Sequence, residues 1–182
     1  MGVFMNLTKR ITISGLLVAL GVLMPQAFHI FGTAAGTTFL PMHIPVLMAG
    51  FIVGPSWAIA VGILCPIISS LITGMPPALR LPYMVCELAI YGLTVGILYH
   101  SFKLYKNNIG IYISLTGGML LGRIIYIGAF AFMVNILGIA PISQGTVLGV
   151  IKSFPEGIVG IIIQFIFIPP IIFALKKVKL CK

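Results

Sequence analysis

From Ile11 to Leu175 the chain runs as six apolar stretches separated by short polar or Gly/Pro-rich gaps, and it carries only two acids, Glu87 and Glu156. About 20 helical residues cross a hydrocarbon slab of roughly 30 Å, and repeated runs near that length leave too little polar surface to face water. With 60% of its 182 residues hydrophobic and 7% charged, a soluble single domain is excluded. The expectation is an all-α polytopic integral membrane protein, a six-transmembrane-helix bundle that forms one domain over residues 1–182, with no room for an additional soluble domain.

The first run extends from Ile11 to Ile30 and gives way to a Gly/Thr/Ala loop, Gly32 to Thr38, long enough to fold over something. It continues past signal-peptide length without an A-x-A site, so it is expected to remain as a span. The runs from Met42 to Val53 and from Trp57 to Ile72 are short and contain Pro45 and Pro66, which predicts kinked or partial helices. Longer spans are predicted over Leu79 to Tyr99, Ile109 to Val134 and Val147 to Leu175. Gly-x-x-x-Gly pairs at Gly50/Gly54, Gly92/Gly96, Gly118/Gly122 and Gly145/Gly149 would allow helices to approach closely. No internal repeat at a fixed period and no inverted correspondence between halves is visible.

An even number of spans puts both termini on one side. Eight basic residues lie at Lys9, Arg10, Lys103, Lys106, Lys176, Lys177, Lys179 and Lys182, against one, Arg80, in the opposite loops. The positive-inside rule therefore makes the termini and the loop at Ser101 to Asn108 cytoplasmic, and the net charge of +9 reads as topology and attraction to anionic lipid rather than a nucleic-acid footprint.

Topology assigns a depth to each charge inside a span. At about 1.5 Å per residue, Glu87 lies roughly 12 Å and Arg123 roughly 16 Å below the outward ends of their spans, and Lys152 and Glu156 about 8 and 14 Å below theirs. Ionised groups at such depth point inward, pair, or line a wet cavity. Two readings stand: Glu87–Arg123 and Lys152–Glu156 are structural ion pairs, or the four residues face an outward cavity and bind a polar solute, with Arg80 at its rim and Asn135 and Gln144 near the far loop. His43 and His29 flank the first outward loop, and Phe28, Phe31, Phe39, Tyr83 and Tyr126 supply rings at comparable depth that suit a small heterocycle or serve as plain packing. Two histidines with no Asp or Cys nearby make a poor metal set, and Cys65, Cys86 and Cys181 have no metal-ligand spacing.

The chain has no Walker A loop, no Asp at all, and no H-E-x-x-H or G-x-S-x-G motif, so neither ATP hydrolysis by itself nor the usual intramembrane enzyme chemistries are expected, and no cofactor is called for.

The run Leu40-Pro41-Met42-His43-Ile44-Pro45-Val46-Leu47-Met48-Ala49-Gly50, then Gly54-Pro55, then Ser69-Ser70-Leu71-Ile72-Thr73-Gly74-Met75-Pro76-Pro77, resembles the substrate-binding (S) components of energy-coupling factor (ECF) vitamin transporters. The resemblance implies a six-helix membrane protein of the bacterial cell membrane that captures a vitamin or precursor from outside in a pocket closed by its first and third loops. It also implies partners, one transmembrane scaffold and two ATPases, and inward release by toppling on that scaffold. Carried onto this chain, it puts His43 and the Gly74, Met75, Pro76, Pro77 loop at the lid. The small-x-x-x-small docking face of the first helix has its nearest match at Gly15 and Ala19, which departs from the usual Ala at the first position. The chain begins Met1-Gly2-Val3 rather than Met-His, unlike the nickel and cobalt branch. Arg80, Tyr83, Glu87, Arg123, Tyr126, Lys152 and Glu156 join the expected substrate site from depth alone. A stand-alone secondary transporter or channel and a non-transporting assembly subunit remain as alternatives.

Overall fold

The structure is a computed structural model that describes residues 5–30, 32, 36, 38–136, 138 and 157–178. Its helices are α1 (Leu7–His29), α2 (His43–Ile52), α3 (Pro55–Thr73), α4 (Leu81–Gly96), α5 (Ile109–Asn135) and α6 (Ile158–Lys177). A π-helical turn, Ile97–Ser101, prolongs α4, and a short 3₁₀ turn, Leu104–Lys106, leads into α5. Five segments are long and apolar enough to cross a membrane, Leu7–Phe28, Pro55–Thr73, Leu81–Ser101, Ile109–Asn135 and Ile158–Lys177. The sixth helix, α2, is ten residues long. At about 1.5 Å per residue it reaches roughly half the hydrocarbon thickness.

The expected six spans thus appear, among the described residues, as five membrane-length helices and one short apolar helix. Eight of the ten α2 residues are buried, because α1, α3, α4 and α6 all pack around it. A helix that is apolar all round has no face to turn to solvent, so it sits inside. Helix α1 shows how the longer ones behave. Ser14, Leu17, Gly21 and Pro25 recur at helical spacing and are buried against α2 and α3, while Ile11, Leu16, Leu20 and Leu23 on the other side are exposed. An outer face as apolar as the inner one is built for hydrocarbon, not water. Of the sixth predicted run, Ile158–Lys177 is helical, and residues 139–156, with Lys152, Glu156, Gln144 and Gly145/Gly149, lie outside the described residues.

Helix α4 is the common wall, packed on α2, α3 and α5. A methyl group placed on Gly92 would stand 2.7 Å from the Ala58 carbonyl oxygen, one on Gly62 would meet the Leu88 carbonyl at 2.5 Å, and one on Gly96 would meet Pro55 at 2.6 Å. The pairs Pro55–Gly96, Ala58–Gly92 and Gly62–Leu88 form one antiparallel register in which α3 and α4 touch backbone to backbone. On the other side Gly118 and Gly122 of α5 receive Val95 and Tyr91 of α4. Three of the expected Gly-x-x-x-Gly pairs therefore have at least one member in a close helix contact, whereas Gly54 has open space and a φ of 90° that serves the turn into α3. At the far end of the molecule, the His100 Nε2 lies 3.0 Å from the Phe51 carbonyl, joining the π-helical turn to α2, and Lys176 Nζ donates to the Tyr105 carbonyl at 2.7 Å, joining α6 to the 3₁₀ turn.

Gly92→Val is expected to force α3 from α4 and lower stability by about 1–3 kcal/mol, whereas Gly15→Ala, whose added methyl meets nothing within 4 Å, should change it little. Thermal unfolding of the detergent-solubilised variants checks both.

Candidate functional site

Three residues at successive turns of α4, Tyr83, Glu87 and Tyr91, share one face and meet α5 at Gly122, Arg123, Tyr126 and Phe130. Glu87 is the only acid among the described residues and its side chain is 2% exposed. Its Oε1 accepts a charge-assisted hydrogen bond from Arg123 Nη1 at 3.0 Å and another from the Tyr91 hydroxyl at 3.0 Å. Tyr91 reaches it because i and i+4 stand above one another on a helix. Its ring lies across Gly122, where any side chain would collide with it, so the glycine lets Tyr91 and Arg123 converge on the same oxygen.

His43, the first residue of α2, closes the group from the second side. Its Nε2 stands 3.8 Å from Glu87 Oε2, too far for a hydrogen bond, and its ring centroid is 5.4 Å from that of Tyr91. The residue is buried, and neither ring nitrogen has a hydrogen-bond partner among the described residues. A buried polar group left in that condition costs about 1–3 kcal/mol.

The Arg123 guanidinium sits 6.0 Å above the Tyr126 ring, within range of a cation–π contact. Beyond it Tyr83 meets Tyr126 and Phe130 edge to face at 5.0 and 5.5 Å, a continuous aromatic wall from α4 to α5. The start of α6 forms the third side. A methyl group on Gly157 would stand 3.3 Å from Arg123 Nη2 and 3.1 Å from Leu40 Cδ1, while Gly160 lies against the Phe39 carbonyl. Gln164, 1% exposed, points Nε2 at the Leu40 carbonyl at 3.5 Å, and the Phe39 ring packs on Phe28 at 5.2 Å. The end of the first loop is thereby held between α1 and α6, directly before His43.

Of the expected site residues, the structure gathers His43, Glu87 and Arg123, with Tyr126 and Tyr83 next along the wall. Arg80 is the half-buried residue at the start of α4, one turn above Tyr83. Lys152 and Glu156 lie outside the described residues, as does the ion pair expected between them. The Gly74–Pro77 loop is a pinned turn: Ser69 and Ser70 hydroxyls donate to the Met75 and Pro76 carbonyls at 2.7 and 2.8 Å. The Pro77 carbonyl then accepts Arg80 N–H at 2.8 Å, which sets the loop between the ends of α3 and α4. Gly15 and Ala19 are exposed on α1.

Tyr91 and Gln164 were not among the expected site residues. Tyr91 could have been found from its i+4 spacing to Glu87, and Gln164 from being an amide in the middle of the last apolar run. Among the described residues no three His, Cys, Asp or Glu side chains come together as a metal set.

Chemically, the arrangement offers a compensated ion pair, an imidazole without a hydrogen-bond partner among the described residues, and aromatic surface. Residues 9–172 match the family described as ECF transporter, substrate-specific component. Neither a curated protein nor a solved structure matches the chain.

Removing one partner of the buried pair strands the other's charge. Arg123→Met is expected to destabilise the protein by about 3–5 kcal/mol, and Glu87→Gln combined with Arg123→Met to recover most of that loss. Chemical denaturation followed by tryptophan fluorescence of Trp57 measures both.

Proposed function

The chain belongs to the substrate-specific components of ECF transporters, and we propose that it is the high-affinity binding subunit for a vitamin or vitamin precursor, captured from outside and released inward. Family membership and five membrane-length helices make it a multi-pass membrane subunit of a transport system. The observation that carries the finer reading is the buried meeting of Glu87, Arg123 and His43, joined by Tyr91 from the same helix. An ion pair beside an imidazole that has no hydrogen-bond partner among the described residues, both set inside a membrane bundle, favours a polar-ligand site.

In this proposal the termini face the cytoplasm, so the His43 end of α2 and the Arg80 end of α4 face outward beneath the loops. Solute enters past Arg80. Tyr83 and Tyr126 cover its apolar surface, and His43, Glu87 and Arg123 replace its hydration, with Lys152 and Glu156 contributing from before α6. The end of the first loop and the Gly74–Pro77 turn close over it. Release follows when the loaded subunit topples on a transmembrane scaffold, contacted through the exposed Gly15 and Ala19 side of α1 and driven by two ATPase subunits. The subunit performs no covalent chemistry of its own, and its location is the bacterial plasma membrane.

The direct 3.0 Å contact between Glu87 and Arg123 favours a second reading, an ion pair that only holds the bundle together in a non-transporting assembly subunit. Mass spectrometry of compounds released from the purified chain, followed by calorimetric titration, separates the two. The binding reading expects one compound per chain, and expects the double variant Glu87→Gln/Arg123→Met to remain folded yet lose at least about 100-fold in affinity. An empty chain that ignores a vitamin panel supports the assembly reading.

A further inference from the structure

We infer that the ligand read by this cluster is uncharged where it meets the protein, a planar nitrogen heterocycle, and that His43 makes a hydrogen bond to a polar atom on its edge. The inference rests on the substrate-binding reading above and narrows its substrate class.

The charge pattern is the first ground. Glu87 and Arg123 compensate one another at 3.0 Å, and the Tyr91 hydroxyl binds the same carboxylate oxygen. A ligand carboxylate or phosphate that took Arg123 would strip that bond from Glu87 and set a second anion beside a side chain only 2% exposed. A cation would find Glu87 already satisfied on one oxygen by two donors. Neither sign of charge is invited where the pair is intact.

The second ground is His43. Both of its ring nitrogens are buried with no hydrogen-bond partner among the described residues, Nε2 standing 3.8 Å from Glu87 Oε2. Buried polar groups are ordinarily hydrogen-bonded, so the ring is poised for a hydrogen-bonding partner. A bound metal is the other usual partner of a buried imidazole, but the described residues bring no third metal-binding side chain to it. The third ground is shape. The imidazole lies against Tyr91, and the Tyr83, Tyr126 and Phe130 rings continue the wall, which suits a flat ring.

The test uses the full chain in detergent. Compounds released on denaturation are typed by mass spectrometry. Titrations then use the released compound together with two probe pairs that differ by one carboxylate, nicotinamide against nicotinate and uracil against orotate, on wild type, His43→Leu and His43→Gln. The expected compound carries no carboxylate or phosphate, and its affinity barely changes with salt because no net charge is neutralised. His43→Leu should weaken it by about 100-fold or more without lowering the melting temperature of the empty protein, and His43→Gln, which keeps a donor and an acceptor, should recover part of the loss. Release of an acid, tighter binding of nicotinate or orotate than of the neutral partners, or wild-type affinity in His43→Leu overturns the inference while leaving the binding function standing. A chain that is empty and ignores all four probes overturns the binding function, and this inference with it.

Discussion

A carboxylate inside an apolar bundle has to be neutralised, and much of the packing among α2, α4 and α5 is arranged around that requirement. Glu87 lies on the helix in the middle of the packing, where water cannot reach it. Its compensation comes from α5, so α5 must approach closely enough for a guanidinium to arrive with hydrogen-bond geometry. Gly122 supplies that closeness, and Tyr91 uses the space the missing side chain leaves. The imidazole of α2 faces the remaining oxygen without completing the set. Desolvation makes the site costly to assemble and, once assembled, intolerant of losing either charge of the Glu87–Arg123 pair.

Much of this was legible in the chain itself. So few charges occur within apolar runs that depth counting alone brings Glu87 and Arg123 to similar levels, and the structure puts them in contact. Pro45 and the shortness of its run foreshadowed a partial helix, but its burial on every side did not follow, because burial depends on which neighbours surround it. Tyr91 and Gln164 stayed hidden for a related reason. An aromatic or an amide among aliphatic residues looks like packing until a partner on another segment shows where its polar atom goes. The Gly-x-x-x-Gly pairs could not be told from coincidence in a chain with 21 glycines. Their role emerges only from the register that sets Gly92 on Ala58 and Gly122 on Tyr91.

The turn between α3 and α4 illustrates a different gap between pattern and structure. Its residues were expected at a lid, and the hydroxyls of Ser69, Ser70 and Thr73 bind it to the end of α3. Side-chain capping of this kind is encoded in the three hydroxyl residues that precede Gly74, and it gives the turn a fixed place at the junction of α3 and α4.

The backbone contacts along α4 bear on how this molecule can move. Where glycine and alanine let two helices touch through their main chains, sliding by one turn would drive carbonyl oxygens into neighbouring carbons, and no side-chain rotamer change relieves that. Helices α2, α3 and α4, joined through Gly50, Gly62, Gly92 and Gly96, therefore behave mechanically as a single plate. Shear between them is blocked, and conformational freedom is left to helices that meet the plate through side chains, as α1 does at Gly21 on Cys65 and α5 at Gly122 on Tyr91. Any transport cycle has to reorient that plate as a whole, with hinge motion confined to its margins.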